Sequence, residues 1–132
     1  LIGHTTLRAG VMKDFNRAAT KAEIDTMLKV LEQCLSSGAI GLSTGLAYPT
    51  ALHAPTEEVV ELARSLKSFN ALYATHMRNE EGNLIEAVDE TIDIANQTGA
   101  DTVISHHKCA GRANWGKSKK VFQSRGRSCT DH

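Results

Sequence analysis

Val103-Ile104-Ser105-His106-His107-Lys108 is a β-branched apolar run that stops in two imidazoles and an ammonium. A strand buried in a sheet has no structural use for such an end, and a reaction centre does. Leu72-Tyr73-Ala74-Thr75-His76-Met77-Arg78 ends in the same manner, and 106 − 76 = 30 residues separate the two histidines, about one strand-helix-strand unit. Ile40 to Tyr48 (IGLSTGLAY) ends in a tyrosine at a comparable spacing, 76 − 48 = 28. The repeat predicts three parallel strands, each delivering a polar group at its carboxyl end.

The segments between these strands carry helical periodicity. Thr20-Lys21-Ala22-Glu23 reads as a capping box. Ile24, Met27, Leu28, Leu31 and Leu35 then recur on one face, and Gly38 offers a left-handed stop. Thr56 is expected to cap the next helix, with Glu57 and Glu58 at the positive end of its dipole and Val59, Leu62, Ala63 and Leu66 as its buried stripe. Asn70 closes it. A third helix is expected from Asn83, spaced with Glu86 for a cap, along Leu84, Val88, Ile92 and Ala95 to Gly99. Pro49 to Pro55 and Asn79 to Asn83 read as loops, and Leu1 to Asn16 as an incoming strand end and loop. This alternation defines an α/β class with a parallel sheet, in which ligands gather at the carboxyl ends of the strands. The regular unit length favours a barrel, but a complete one needs roughly 250 residues. The chain has 132.

Fifteen Lys plus Arg balance fifteen Asp plus Glu, so no field is available to hold nucleic acid or a membrane surface. No stretch approaches the ~20 apolar residues of a membrane span. The three cysteines, Cys34, Cys109 and Cys129, form neither a CxxC pair nor a disulfide framework, which predicts a reducing, cytoplasmic setting. The first residue is Leu rather than Met, as expected of a fragment.

Side chains alternate along a strand, so His106 and Lys108 are expected on one face and His107 on the other, with His76 sharing a face with Arg78. Imidazoles on neighbouring parallel strands about 5 Å apart can ligate one Zn²⁺ together, although a catalytic zinc usually takes three protein ligands. The spacing alone is also met by two buried, hydrogen-bonded histidines. His4 beside Gly3 reads as structural and His53 as solvated; Lys108 is either a carboxylate-binding cation or an ordinary strand end. Gly41-Leu42-Ser43-Thr44-Gly45 lacks the Gly-Lys-Ser/Thr ending of a phosphate loop, and although it spells Gly-x-Ser-x-Gly, no partners in the sequence support Ser43 as the nucleophile of an elbow.

Four segments carry a more specific likeness: Gly3-His4-Thr5-Thr6-Leu7-Arg8, Gly41 to Tyr48 (GLSTGLAY), Thr75-His76-Met77-Arg78, and Ser105-His106-His107-Lys108 through Asn114-Trp115-Gly116. Together, and in this order from Leu1 to about Ser118, they resemble the N-acyl-D-amino-acid deacylases (D-aminoacylases) of the amidohydrolase superfamily. The resemblance implies that residues 1–118 are the central part of a metal-dependent hydrolase (β/α)8 TIM barrel, its fourth to sixth strands ending at Tyr48, His76 and His106. It implies Zn²⁺ as cofactor with His76 and His106 as ligands, and Tyr48 and Lys108 as substrate contacts. The implied reaction is hydrolysis of the amide of an N-acyl-D-amino acid, a small-molecule substrate. The family's His-x-His pair, bridging cysteine and catalytic aspartate have no counterpart among these residues, so the general base is expected outside this chain and the fragment is expected to be inactive. A hydantoinase-like amidase would need a lysine on the fourth strand, which Ala47-Tyr48 does not offer, and a non-catalytic remnant is the other alternative. Residues 119–132 depart from the family and read as a disordered or frameshifted tail, and no helix is expected from Lys117 to His132.

Overall fold

The computed structural model describes residues 1–125. Four strands form one parallel sheet in the order β1 (Ile2–Gly3), β2 (Gly41–Gly45), β3 (Leu72–His76), β4 (Thr102–Ile104). Between and after them lie α1 (His4–Val11), α2 (Lys21–Ser36), α3 (Thr56–Ala63) with a 3₁₀ extension Arg64–Phe69, α4 (Leu84–Thr98) and α5 (Lys117–Arg125). Spatial order follows sequence order without reversal. Right-handed crossovers then place every connecting helix on the same side of the sheet, and the sheet has no topological switch point.

The register shows which side that is. Leu42 pairs with Tyr73 and Thr44 with Thr75, so these four share a face. Leu42 and Tyr73 are fully buried against Met27 and Leu31 of α2 and Leu62 of α3. Thr44 Oγ1 satisfies two polar groups within that layer, 2.9 Å from the Tyr73 hydroxyl and 2.8 Å from Thr75 Oγ1. Ser43, Ala74 and His76 therefore point to the other face, away from the helices.

The α2 cap is the one expected. Thr20 accepts from Glu23 N, Glu23 accepts from Thr20 N at 2.7 Å, and Arg17 grips the same carboxylate at 2.7 and 2.8 Å. These hydrogen bonds, Arg17's foremost, hold the Glu23 carboxyl down at about 2. Asn70 and Gly99 close their helices in left-handed conformations (φ 49° and 64°).

Several expectations need correcting. Leu1 to Asn16 contains a helix, α1, whose polar residues hid its buried Leu7 and Arg8 from a reading by apolar period. Thr56 is the first helical residue rather than the cap, and its hydroxyl donates to Glu90 Oε1 at 2.8 Å. Asn83 stands at the α4 cap without a side-chain bond, since Asn79 Oδ1 accepts from both Glu81 N and Asn83 N. The buried stripe of α4 is Leu84, Ala87, Val88, Thr91, Ile94 and Thr98, with Ile92 and Ala95 half-buried at its flank. Thr91 and Thr98 enter the stripe because their hydroxyls bond back to Ala87 O and Ile94 O. β4 is an edge strand with Val103 half-exposed, not a fully buried one. Lys117–Arg125, expected to hold no helix, forms α5, and Val121 packs with Leu84 and Val88 of α4. The remainder of that stretch, 126–132, lies outside the described residues.

Candidate metal and substrate site

A buried charge cluster lies where β1 runs into α1 and where α3 begins. Glu58, on the first turn of α3, accepts from Arg8 Nη1 at 2.5 Å and from Ala19 N at 3.0 Å, and lies 2.9 Å from His4 Nε2. Burial pushes its carboxyl up, but the bonds from His4, Arg8 and Ala19 outweigh this and hold it below its usual range. His4 is thus structural, as expected, and joins α1 to α3 within the core. His53 is exposed, also as expected.

The candidate metal and substrate residues stand at the carboxyl ends of the later strands. His76 is the last residue of β3, paired in register with Gly45. His106 lies two residues beyond β4 in a left-handed turn (φ 41°), a conformation uncommon for a residue with a Cβ and of the kind that recurs at functional sites. Its Nε2 sits 3.0 Å from His76 Nδ1, and the ring centroids are 4.7 Å apart. Because β4 ends at Ile104, strand pleating does not set the directions of His106, His107 and Lys108, contrary to the sequence argument. His106 and Lys108 nevertheless converge, Lys108 Nζ lying 3.2 Å from His106 Nδ1. Arg78 does not join His76. Its guanidinium binds Glu90 at 2.8 to 3.2 Å and caps the carbonyls of Leu52 and Ala54 at 2.9 Å, tying the Pro49–Pro55 loop to α4.

Tyr48 falls outside β2, in the turn that follows it, and its ring stacks on His76 with centroids 5.1 Å apart and planes at 20°. Gly45 makes this possible, since a Cβ there would stand 2.4 Å from Tyr48 Cδ2.

Sequence reading missed Glu80, placed in a loop and given no role. Its Oε2 accepts from Lys108 Nζ, while Oε1 lies 3.0 Å from His106 Nδ1 and 3.9 Å from His76 Nδ1. Burial works against its ionisation, but Lys108's hydrogen bond and the neighbouring His76, Lys108 and His106 groups prevail and lower its pKa. The available signal was the His76-x-x-x-Glu80 spacing just past a strand. His76, Glu80 and His106 each offer one ligand atom, all within 4.8 Å of one another, a spacing at which one cation can bridge them. Glu80 Oε1 has no aligned hydrogen-bond donor although it is shielded from solvent. An imidazole pair and an unpartnered carboxylate oxygen form a donor set that suits zinc.

Parallel strands with a His–Glu–His group at their carboxyl ends define an α/β unit with a candidate metal centre. More specifically, the chain is homologous to the N-acyl-D-amino-acid deacylases. It is 47% identical over 122 residues to a D-aminoacylase of Alcaligenes xylosoxydans xylosoxydans, covering 92% of this chain and 25% of that protein. An N-acyl-D-aspartate deacylase of the same organism is 43% identical over 123 residues, with 92% and 25% covered. Among solved structures, a D-aminoacylase that defines a subset of amidohydrolases superposes with a TM-score of 0.92 at 45% identity, over 95% of this chain and 26% of that one. The N-acyl-D-glutamate deacylase of Bordetella bronchiseptica, complexed with zinc and a phosphonate mimic of the tetrahedral intermediate, gives 0.92 at 40% identity, over 97% and 27%. The chain thus spans about a quarter of the length of the relatives it matches. No family profile matches it. Among the described residues, no helix is long and apolar enough to cross a membrane.

Proposed function

We propose that this chain supplies the metal-binding pair and the carboxylate-binding cation of a zinc-dependent N-acyl-D-amino-acid deacylase, a hydrolase of linear amides. The observation that carries the reading is the meeting of His76 and His106 at 3.0 Å on adjacent strand ends. In it, residues 1–118 are part of a (β/α)8 barrel, with β2, β3 and β4 as its fourth to sixth strands. The helix-free face carrying Ser43, Ala74 and His76 is then the barrel interior, and sequential strand order without a switch point supports this. The enzyme works on a small molecule in a reducing, cytoplasmic setting, which the unpaired Cys34 and Cys109 support.

His76 and His106 would hold the zinc, which when bound activates water and polarises the acyl carbonyl. Lys108, half-exposed and braced by Glu80, offers its ammonium to the substrate carboxylate through a charge-assisted bond. Tyr48, stacked on His76, would be the second substrate contact, its phenol a donor for the oxyanion of the acyl carbonyl. A general base and further ligands lie outside these 132 residues, so the chain alone would not turn over. Substituting the chain for the matching quarter of the Alcaligenes D-aminoacylase tests the reading. The expected result is chelator-sensitive hydrolysis of N-acetyl-D-methionine but not of its L-enantiomer, lost on His76→Ala or His106→Ala. Turnover indifferent to either substitution would contradict it.

A further inference from the structure

Tyr48 is 53% exposed, so burial does not fix its ring over His76. Its backbone does. The Tyr48 carbonyl accepts from Ala51 N at 2.9 Å and from Leu52 N at 2.8 Å, and Ala51 O accepts from Ala54 N at 3.0 Å, so residues 48–54 form a wound turn rather than an open loop. Ala51 and Ala54 pack inward, while Leu52 and His53 are exposed. Arg78 meets this turn from β3's side: its Nη1 donates to Leu52 O and its Nη2 to Ala54 O, both at 2.9 Å. Nε and Nη2 bind Glu90 of α4 at 2.8 to 3.2 Å. Glu90 in turn accepts from the hydroxyl of Thr56 at 2.8 Å, where the same loop enters α3.

These bonds close a circuit. Arg78 leaves the chain two residues after His76, with the fully buried Met77 between them, so the segment that presents the imidazole also presents the guanidinium. The guanidinium holds Leu52 O, Leu52 N holds Tyr48 O, and the Tyr48 ring stacks back on His76 with centroids 5.1 Å apart. We propose that Arg78 is a positioning residue that sets Tyr48 against His76 and so fixes the direction of the phenol. The proposal rests on the reading of Tyr48 as a substrate contact. All three guanidinium nitrogens are engaged within the protein, so Arg78 acts as a brace and not as a second carboxylate-binding cation beside Lys108. A guanidinium suits this place because its planar fork serves two carbonyls and a carboxylate at once. A lysine ammonium could keep the pair with Glu90 but could not span both carbonyls as well.

The test has two arms. Proton spectra of the chain alone read the ring-current shift of the His76 ring protons under Tyr48, identified by its loss in Tyr48→Ala, and need neither metal nor turnover. Arg78→Lys should keep the native dispersion of the core methyl signals and lose that shift, and Arg78→Ala should lose it too. In the chimera with the Alcaligenes D-aminoacylase, Arg78→Lys should lower kcat by up to about 100-fold, the cost of misplacing a group at the reaction centre by about 1 Å, with KM little changed. In a Tyr48→Phe background, where the hydroxyl is already gone, the same substitution should cost almost nothing more, because the two residues act as one unit. A residue needed only for stability would cost the same in both backgrounds. A His76 shift that survives in both Arg78 variants would overturn the proposal. So would unfolding of both variants, equal losses with and without the Tyr48 hydroxyl, or a rise in KM alone. If the unsubstituted chimera is inactive, the deacylase reading fails by itself, and the spectra of the chain still decide whether Arg78 sets Tyr48.

Discussion

Glu58→Ala should be among the most destabilising single substitutions in the chain, although Glu58 takes no part in the His76–His106 group. Its side chain and that of Arg8 have no exposed surface, so removing the carboxylate strands a guanidinium in the core. It also leaves Ala19 N and His4 Nε2 without their acceptor. Breaking a buried pair from one side costs about 3–5 kcal/mol, a large part of the ~5–15 kcal/mol that holds a domain together. With a urea dependence of about 1–3 kcal/mol/M, the unfolding midpoint should fall by roughly 2 M. Glu58→Gln keeps the shape and one acceptor oxygen and should cost about half as much, in the range of a charged hydrogen bond, ~1.5–3 kcal/mol. Glu61→Ala is the internal control, because its pair with Lys21 is exposed at 38% and 69% and surface pairs contribute at most ~1 kcal/mol. Urea unfolding followed by circular dichroism reads all three. Equal midpoint shifts for Glu58→Ala and Glu61→Ala would refute the view that this cluster anchors α1 to α3.

Gly45→Ala should push the Tyr48 ring off His76, since the new methyl group would fall 2.4 Å from Tyr48 Cδ2; loss of the ring-current shift on the His76 protons would show it, and an unchanged spectrum would count against the stacking. Acid should destabilise the fold through carboxyls whose pKa is lowered in the native state. Glu23 falls from the usual 4.5 to about 2, so its contribution is complete above 4.5 and is lost as pH drops through about 2. Glu23→Gln should flatten the fall in urea midpoint across that window, and parallel curves for both proteins would exclude Glu23 as a cause. Lys108→Ala in the active chimera should leave zinc bound and raise KM by about 10–150-fold, the equivalent of ~1.5–3 kcal/mol for a charge-assisted contact. His107→Ala should retain zinc; loss of zinc there, with retention in His106→Ala, would reverse the ligand assignment.

The elements most legible in the sequence were those whose apolar period was undisturbed. The face of α2 from Ile24 to Leu35, its Thr20–Glu23 box and the stops at Asn70 and Gly99 all appear as read. α1 was not legible, because its inward residues include His4 and Arg8, buried only by virtue of Glu58 some fifty positions away. The α4 stripe shifted for a related reason: threonines that bond their own helix carbonyls count as core, and no apolar pattern records that. At the site, strand spacing brought His76 and His106 together correctly, but pleat alternation was carried past the end of β4, where a left-handed turn governs direction instead. Glu80 sits in a loop whose path is set by Asn79 and Ala110, contacts made only in three dimensions.

The central claim is that one zinc ion lies between His76 and His106. The most direct measurement is anomalous X-ray diffraction at the zinc edge from zinc-loaded crystals of the chain. The expected result is a single peak about 2.0–2.1 Å from a ring nitrogen of each histidine, absent from the His76→Ala protein. A peak on Cys34 or Cys109, or one that persists at this position without His76, would contradict it.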